Sequence, residues 1–486
     1  MKLSFLDFVY TTPLWSIALF SFLPLLTKAV AKGKEMRPLW VISVAFVSFC
    51  FSIIALMSLG YTNQLVFSNL LRLDQPAWLF SIVLLFMGIM TLPLLLGKKN
   101  HVVHDKFFSE FVFLFMNSVL GLCLITWSNN LISAFIAIEY ISLCFYLMIP
   151  LAKDRVSSIE AGLKYFVLGS VAAAILLLGL SFVYIAAGSF DFNVILHHSQ
   201  VLIQKNRLFV LGLSFICIAL LFKVAIFPFQ FWLPDVYQGS ATPLAAFMSS
   251  AVKASVLILL LKLVFFGGFI THSGQSLTVL FQWLAILSLI VGHVSALFQD
   301  NFKRLLIYSS IGHAGYIIMN LLSPDLFSVS SLFYYLISYG VIQIGAMAHI
   351  MFFEGEETTG HSLQSLKGLF KHKPFYALSL TWFLLNLAGI PPTAGFFAKL
   401  FVFEALVQKG LWWMLFWGVI GSAVGLAYYL KPIILMFTLP EKEKEVQFEK
   451  LPWVTTVIVI LLFISLDLSF GAGLLHEWMT QLWTQV

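Results

Sequence analysis

The chain has 486 residues, of which 60% are hydrophobic and only 10% are charged, whereas a soluble domain usually carries about 25% charged residues. Its net charge of +6 is not gathered into a basic run, which excludes a nucleic-acid-binding surface. The apolar runs are about 20 residues long, as membrane-spanning helices require, and they lack the alternation of a membrane β-barrel. The composition therefore predicts an all-α polytopic membrane protein.

In chain order, the apolar runs predict about fourteen transmembrane helices joined by short loops. The first run is long enough to remain as a helix instead of being removed as a signal peptide. Numbered helix 1 to helix 14, the predicted spans are 13–30, 39–59, 77–96, 107–127, 129–150, 160–187, 207–238, 241–266, 277–298, 301–321, 327–353, 374–407, 411–438 and 452–474.

Basic residues concentrate in the loops that follow odd-numbered helices. These residues are Lys32, Lys34, Arg37, Lys98, Lys99, Lys106, Lys153, Arg155, Lys303, Arg304, Lys367, Lys371, Lys373, Lys442, Lys444 and Lys450. The loops after even-numbered helices hold little beyond Arg72, Lys205, Arg207 and Lys409. By the positive-inside rule, the odd-numbered loops face the cytoplasm and both termini lie on the outer side.

A small set of ionisable residues lies within the predicted spans. An ionisable residue inside a membrane marks a functional site by default, and the alternative is an ion pair that only locks helices together. Apolar packing could fill that structural role at lower cost, so several such residues on consecutive helices favour a conducting path. The set is Glu139, Lys164, Lys223, Lys253, His293, His313, His349, Lys399 and Lys431.

On three predicted helices, further polar side chains lie on the same face as one of these ionisable residues. At helical spacing, hydroxyl, imidazole and amide groups would hold a chain of water between titratable groups. Hydrogen bonding between helices is the alternative, and the stripes alone do not separate the two. The stripes are Glu139, Ser142 and Tyr146 on helix 5, Ser249, Ser250 and Lys253 on helix 8, and Ser309, His313, Tyr316 and Asn320 on helix 10.

Two predicted helices are interrupted close to a lysine. In helix 7, Lys223 comes five residues before Pro228, and in helix 12, Lys399 comes seven residues after Pro392. A proline inside a helix removes a backbone hydrogen bond, and the freed groups are tolerated in a membrane only against protein or water. A broken helix with a nearby charge, once in each half and in opposite order, predicts inverted repeats with an ion site at each break.

Glu139 and Lys223 are predicted to act as a pair. Burial disfavours the ammonium form of a lysine, whereas a nearby carboxylate stabilises that form. An element that moves Glu139 towards or away from Lys223 would therefore switch the lysine between holding and releasing a proton.

The cysteines and the remaining histidines predict neither a metal site nor an iron–sulfur cluster. The cysteines lie in apolar runs and form no CxxC motif; they are Cys50, Cys123, Cys144 and Cys217. The histidine pairs that flank helices lack partners at metal-ligand spacing, and we expect them in solvated loops; they are His101, His104, His197 and His198.

Three motifs together resemble a known family: "FKVAIFPFQFWLPDVYQGSATP", "NFKRLLIYSSIGHAGY" and "LAGIPPTAGFFAKL". They are similar to the antiporter-like membrane subunits of respiratory complex I, and most of all to the N type of bacterial NADH–quinone oxidoreductase. The resemblance covers nearly the whole chain. It implies fourteen helices with two inverted five-helix repeats, at helices 4–8 and 9–13. The implied parts are an N-terminal segment 1–106, a first repeat 107–266, a second repeat 277–438 and a C-terminal helix 452–486.

The resemblance also implies which residues translocate protons. The principal ones are Glu139, Lys223, Lys253 and Lys399, and the secondary ones on the same polar axis are Lys164, Tyr308 and His313. A lysine at position 399 suits the N type, whereas the related M type typically carries glutamate there. Gln230 departs from the family, which usually has histidine at this position. Because glutamine does not titrate, a proton-relay role at this position is not expected here.

The resemblance implies a proton-translocating, non-redox subunit of NADH:quinone oxidoreductase in the bacterial inner membrane, with both termini on the periplasmic side. Its partners would be other complex I membrane subunits, including the other antiporter-like subunits and the small membrane subunits, together with the lipid bilayer. This chain would bind no cofactor, and NADH, FMN, iron–sulfur clusters and quinone are expected in other subunits. The alternatives are a subunit of a multi-subunit cation/proton antiporter, the membrane arm of a hydrogenase, and a scaffold whose charges only brace helices.

Overall fold

The computed structural model describes residues 5–33, 37–97, 103, 105–151, 156–263, 275–322, 325–353, 362–438 and 450–484. Within these ranges the chain is built almost entirely of helices, which confirms the predicted all-α membrane fold. The sheet structure found there is a short antiparallel hairpin in the loop after helix 2, formed by Gln64–Val66 and Leu71–Leu73.

Twelve helices in the described ranges are long and apolar enough to cross a membrane, and they correspond to predicted helices 1–9, 11, 13 and 14. They are Thr12–Val30, Pro38–Leu59, Gln75–Leu96, Phe108–Trp127, Leu131–Leu151, Val156–Ala187, Arg207–Val224, Thr242–Leu261, Thr278–Leu297, Leu326–Phe353, Trp412–Phe437 and Pro452–Phe470. Predicted helix 10 is also helical, at Phe302–Leu321, and predicted helix 12 consists of Pro374–Ala388 and Ala394–Gln408. The total of fourteen crossings and the inverted repeats stay predictions.

Helix 7 is broken where the sequence predicts it. Its first half, Arg207–Val224, is followed by an irregular segment, and a second half resumes at Trp232–Gly239. Ala225 begins the break with φ of 61°, a left-handed conformation uncommon for a residue other than glycine. Within the break, the backbone N–H of Phe227 donates to Ser288 Oγ at 3.0 Å, so a side chain from helix 9 satisfies a backbone group that the helix has released.

Helix 12 is broken by a glycine cap followed by two prolines. The first half ends at Gly389, whose φ of 81° is the left-handed conformation typical of a helix C-terminus. Thr393 starts the second half, and its side-chain hydroxyl oxygen accepts from the N–H of Phe396 at 3.3 Å. The first half-helix therefore has its own C-terminal cap and the second its own N-terminal cap, so the sequence itself specifies the interruption.

The described residues form two compact units. Unit 1 comprises Met1–Leu92, Val102–Val224 and Ala251–Thr278, and unit 2 comprises Pro93–His101, Ala225–Ser250 and Val279–Val486. The first half of helix 7 thus belongs to unit 1 and the first half of helix 12 to unit 2. The four-part division predicted from the sequence stays a prediction.

In unit 1, loops of the same parity contact one another. On the odd-numbered side, Lys28 at the end of helix 1 forms an ion pair of 2.6 Å with Glu110 at the start of helix 4. On the even-numbered side, the N–H of Asn129 donates to Leu70 O at 3.1 Å, joining the loop after helix 4 to the hairpin. These contacts agree with helices that cross in alternating directions.

Unit 2 follows the same rule. Lys303, in the first turn of helix 10 beside the loop after helix 9, donates to Ser240 O in the loop after helix 7 at 2.7 Å. Lys409, after helix 12, forms an ion pair of 3.0 Å with Asp325, after helix 10. In this unit, too, each contact joins loops of the same parity, as expected when successive helices run in opposite directions across the membrane. Which side faces the cytoplasm stays a prediction.

Several helical segments in the described ranges lie wholly or largely outside the predicted spans, and two of them are longer than ten residues. Phe192–Lys205 is a helix between helices 6 and 7, so the prediction of a loop at His197 and His198 is wrong, whereas their solvation stays a prediction. The polar residues of this helix interrupt the apolar run, so the segment was too short in apolar length to be predicted as a transmembrane span. A second helix, Ala472–Thr484, follows helix 14. Predictions for His101 and His104 lie outside the described residues, as do those for several loop lysines and arginines.

Candidate functional site

Lys223 is a buried cation at the end of a half-helix in unit 1. It lies in the last turn of the first half of helix 7 and is only 7% exposed. Its Nζ donates to Ser142 Oγ at 2.6 Å and lies 5.9 Å from the centre of the Tyr165 ring. A helix C-terminus carries a partial negative charge, so helix 7 itself favours a cation at this position.

Glu139 lies one helical turn before Ser142 on helix 5 and interacts electrostatically with Lys223. The two do not form a direct ion pair, and the hydrogen bond that Lys223 Nζ makes to a side chain goes to Ser142 Oγ. Glu139 Oε1 is buried and accepts no hydrogen bond from any described residue. Buried polar atoms are rarely left unpaired, so this carboxylate oxygen requires a water molecule, a proton or a movement of Lys223.

The two other lysines predicted in this unit differ in their surroundings. Lys253 is only 1% exposed and directly follows a π-helical turn, Met248–Val252, a feature often found at functional sites. The Lys164 side chain is 41% exposed and forms an ion pair of 2.8 Å with Glu160. On helix 6 it is the next residue, Tyr165, that faces Lys223.

The serines of the predicted helix 8 stripe are bonded within their own helix. Ser249 and Ser250 both donate to Ala246 O, at 3.0 and 2.7 Å. Such bonds satisfy the hydroxyl hydrogens locally. The lone pairs of these hydroxyl oxygens remain for other donors.

In unit 2, Lys399 folds back onto the end of the preceding half-helix. Its side chain is 4% exposed, and Nζ donates to Ala388 O at 2.8 Å and to Leu387 O at 3.2 Å. These carbonyls belong to the last turn of the first half of helix 12, where backbone acceptors have no partner within the helix. Nζ also lies 5.2 Å from the centre of the Tyr316 ring, within the range of a cation–π contact.

Tyr316 belongs to a cluster of buried histidines and tyrosines. His313 is bonded to Tyr335 through Nδ1 at 2.7 Å and to Tyr429 through Nε2 at 3.2 Å. His293 Nδ1 is bonded to the hydroxyl of Tyr428 at 2.9 Å, and its Nε2 has no hydrogen-bond partner among the described residues. We call this set the His–Tyr cluster: His293, His313, Tyr316, Tyr335, Tyr428 and Tyr429.

Sequence reasoning missed three members of the His–Tyr cluster: Tyr335, Tyr428 and Tyr429. The consecutive tyrosines of "AYYLK" in the apolar helix 13 were the available signal, because a buried tyrosine hydroxyl usually requires a partner. Tyr316 itself was part of the predicted helix 10 stripe, and its hydroxyl donates to Gly418 O at 2.9 Å. The cluster therefore joins helices 9, 10, 11 and 13.

The remaining predicted residues of unit 2 lie outside this cluster. Tyr308 is half-buried beside the guanidinium of Arg304, at 5.7 Å. His349 is held by Gly345 O and Ser379 Oγ, both at 2.8 Å. Lys431 is partly exposed and forms an ion pair with Asp300.

Gln230 is buried within the helix 7 break, and its Oε1 has no hydrogen-bond partner among the described residues. A buried amide oxygen can accept from water without titrating. No group of three histidine, cysteine, aspartate or glutamate residues suited to a metal ion occurs in the described ranges.

Comparison with known proteins identifies the family. Residues 128–425 match the model of the family described as NADH:quinone oxidoreductase/Mrp antiporter, TM. The chain is 35% identical over 473 residues to NADH-quinone oxidoreductase subunit N of Bdellovibrio bacteriovorus, covering 96% of each chain. The chain belongs to the subunit N family. The three sequence motifs had indicated the same family, and this expectation is confirmed.

Solved structures agree with this assignment. The chain resembles a chain of respiratory complex I from Thermus thermophilus, with 29% identity and a TM-score of 0.80, covering 96% of this chain and 98% of that one. It also resembles a chain of the Mrp complex from Dietzia sp., with a TM-score of 0.82, covering 99% and 97%, respectively. The identity to the Mrp chain is only 17%, so that likeness concerns the fold alone.

Proposed function

We propose that this chain is a proton-translocating membrane subunit of a bacterial NADH:quinone oxidoreductase. Its role is to couple electron transfer from NADH to quinone, which takes place in other subunits, to proton movement through intramembrane lysine, glutamate and histidine residues. The chain itself is a non-redox part of the translocase. Its neighbours are other complex I membrane subunits, within the inner membrane.

The observation that carries this proposal is the open arrangement of Glu139 and Lys223. A charge pair that only braces helices is best stabilised when it is closed and fully hydrogen-bonded. Here the ammonium is bonded to Ser142, while the buried Glu139 Oε1 has no hydrogen bond within the part of the chain that the structure describes. Two opposite charges that interact without closing can change distance, and such a change alters how tightly the lysine holds its proton.

Unit 2 supports the proposal with a second buried lysine at a helix break. Lys399 is bonded to the freed carbonyls of Leu387 and Ala388 and adjoins the His–Tyr cluster through the Tyr316 ring. Carbonyls at a broken helix are typical of ion sites in transporters. Hydroxyl and imidazole groups can both donate and accept, as proton transfer requires.

The test compares variants of the assembled complex in membrane vesicles. Lys223→Ala and Glu139→Ala should each lower NADH-driven proton pumping and quinone reduction together, because the two are coupled. Glu139→Asp should lower both activities less, since it keeps the carboxylate on a side chain that is one methylene group shorter. Lys409→Ala, which removes a partly exposed lysine from the pair with Asp325, is the control and should keep both activities.

Assembly is checked by the yield of intact complex for every variant. A complex that contains Lys223→Ala and pumps at the wild-type rate would refute the proposal. Retention of subunits in mild detergent separates the alternatives: dehydrogenase subunits support the proposal, whereas antiporter or hydrogenase subunits contradict it.

A further inference from the structure

We infer that Ser142 is a positioning residue that holds the Lys223 side chain apart from Glu139. The inference deepens the proposed function and rests on it. It assigns to Ser142 the resting position of the lysine nitrogen, from which the lysine can move to Glu139 and return.

The geometry of Ser142 makes it a fixed acceptor. Its hydroxyl donates to Ile138 O at 2.7 Å, within helix 5. With the hydrogen directed at that carbonyl, the lone pairs of Oγ are left for Lys223 Nζ at 2.6 Å. Both an ammonium and a neutral amine have N–H groups to donate, so the lysine can occupy this position before and after it releases a proton.

Two contacts define the resting position. The nitrogen of Lys223 lies 2.6 Å from Ser142 Oγ and, over the Tyr165 ring, 5.9 Å from the ring centre. Tyr165 is in turn packed edge-on against Tyr146, with ring centres 5.0 Å apart. Because Tyr146 lies one turn after Ser142 on helix 5, the same helix carries Ser142 and the residue that packs against Tyr165.

Glu139 is the partner to which Lys223 would move. It lies one turn before Ser142 on the same helix, and its buried Oε1 accepts no hydrogen bond. The charged and titratable groups described on helix 5 and on the elements packed against the first half of helix 7 fall into four sets. They are Glu139, Tyr140, Cys144 and Tyr146 on helix 5, Glu160, Lys164, Tyr165 and Tyr184 on helix 6, Lys205 on Phe192–Lys205, and Lys253 and Lys262 on helix 8, where Lys262 is paired with Asp74. The anions in this set are Glu139 and Glu160, and Glu160 is already paired with Lys164.

Removal of the Ser142 hydroxyl therefore leaves Glu139 as the anionic acceptor for the Lys223 ammonium. The two charges should close into a direct ion pair, and the lysine should hold its proton more tightly. In Ser142→Ala complexes we expect the pH of half-maximal pumping to rise by about one unit, which is about a tenfold tighter hold on the proton. Pumping on the acidic side of this midpoint should fall by about the same factor.

Two further variants separate positioning from a structural role. Ser142→Thr keeps the hydroxyl and should keep the wild-type pH profile. Ser142→Cys has a similar size and a much weaker acceptor, so it should shift the profile in the same direction as alanine. It also provides the test if the alanine variant fails to assemble. The matched control is Ser118→Ala, since Ser118 is a buried serine that donates to Phe115 O at 2.7 Å.

The pH profile of NADH-driven pumping is measured in vesicles for each assembled variant. A profile for Ser142→Ala or Ser142→Cys that is unchanged, or shifted to lower pH, overturns the inference. If Lys223→Ala abolishes pumping while the Ser142 variants keep the wild-type profile, only the role of Ser142 is wrong. If Lys223→Ala itself pumps normally, the proposed function has failed.

Discussion

Substitution of Gly389 by alanine should displace the Lys399 ammonium from its backbone acceptors. Gly389 has φ of 81°, and a Cβ there would lie 2.9 Å from Lys399 Cδ and 3.1 Å from its Nζ. These atoms are at the far end of a flexible side chain, so the lysine moves in preference to the backbone. The bond from Nζ to Ala388 O, now 2.8 Å, should then be lost.

Two contributions set the size of the effect. The left-handed conformation costs an alanine about 1–2 kcal/mol. A hydrogen bond to a charged group contributes about 1.5–3 kcal/mol, so the two contributions together lower the stability of Gly389→Ala by about 2.5–5 kcal/mol. If the displaced bond is needed for proton exchange, 1.4 kcal/mol corresponds to a factor of ten, and pumping should fall at least tenfold.

Gly410 offers a matched control. It has φ of 69° and no atom within 4 Å of an added Cβ, so Gly410→Ala carries the backbone strain without touching Lys399. The measurements are the yield of assembled complex, its thermal unfolding and NADH-driven pumping in vesicles. Equal pumping by Gly389→Ala and Gly410→Ala would show that the position of the lysine nitrogen at the carbonyls does not matter.

Three further outcomes are expected. Lys399→Arg, which keeps a permanent charge, should impair pumping at least as much as Lys399→Glu, and a fully active arginine variant would remove this residue from the proton path. Cysteine at Lys371 should resist an impermeant thiol reagent in intact cells while cysteine at Lys205 reacts, and the reverse pattern would overturn the orientation. Asp74→Ala removes the carboxylate that lies 3.0 Å from the buried ammonium of Lys262 at the end of helix 8, and the loss of this ion pair should lower the free energy of unfolding of the assembled complex by about 3 kcal/mol. Lys431→Ala, in an exposed pair, should change that free energy by at most about 1 kcal/mol.

The bilayer explains why the helices were predictable from the sequence. The hydrocarbon core of a bilayer has a nearly fixed thickness, so a helix that crosses it needs an apolar run of nearly fixed length. The limits of helices such as Pro38–Leu59 and Trp412–Phe437 could therefore be predicted closely from the apolar runs. Pro228 and Pro392 revealed the breaks because a proline cannot continue a helix without loss of a hydrogen bond. The burial of Lys223 and Lys399 followed from the same local patterns.

Contacts between helices were not predictable in the same way. The sequence indicated that Glu139 and Lys223 interact, but it did not show that Ser142 accepts the hydrogen bond. The partners of His313 come from helices 11 and 13, far away in the chain, and depend on how each helix is rotated. The helix Phe192–Lys205 was missed because its polar face interrupts the apolar run that marks a transmembrane span.

The bond of Lys399 to the end of a half-helix has a consequence for ion selectivity. Two backbone carbonyls at a helix C-terminus would also attract a sodium or potassium ion, and a free ion held there could leave on either side of the membrane. In this chain the cation is covalently attached through its own side chain. Under the proposed function it can exchange a proton but cannot itself depart. Discrimination against alkali metal ions then depends on this covalent attachment and does not require a cavity of a particular size.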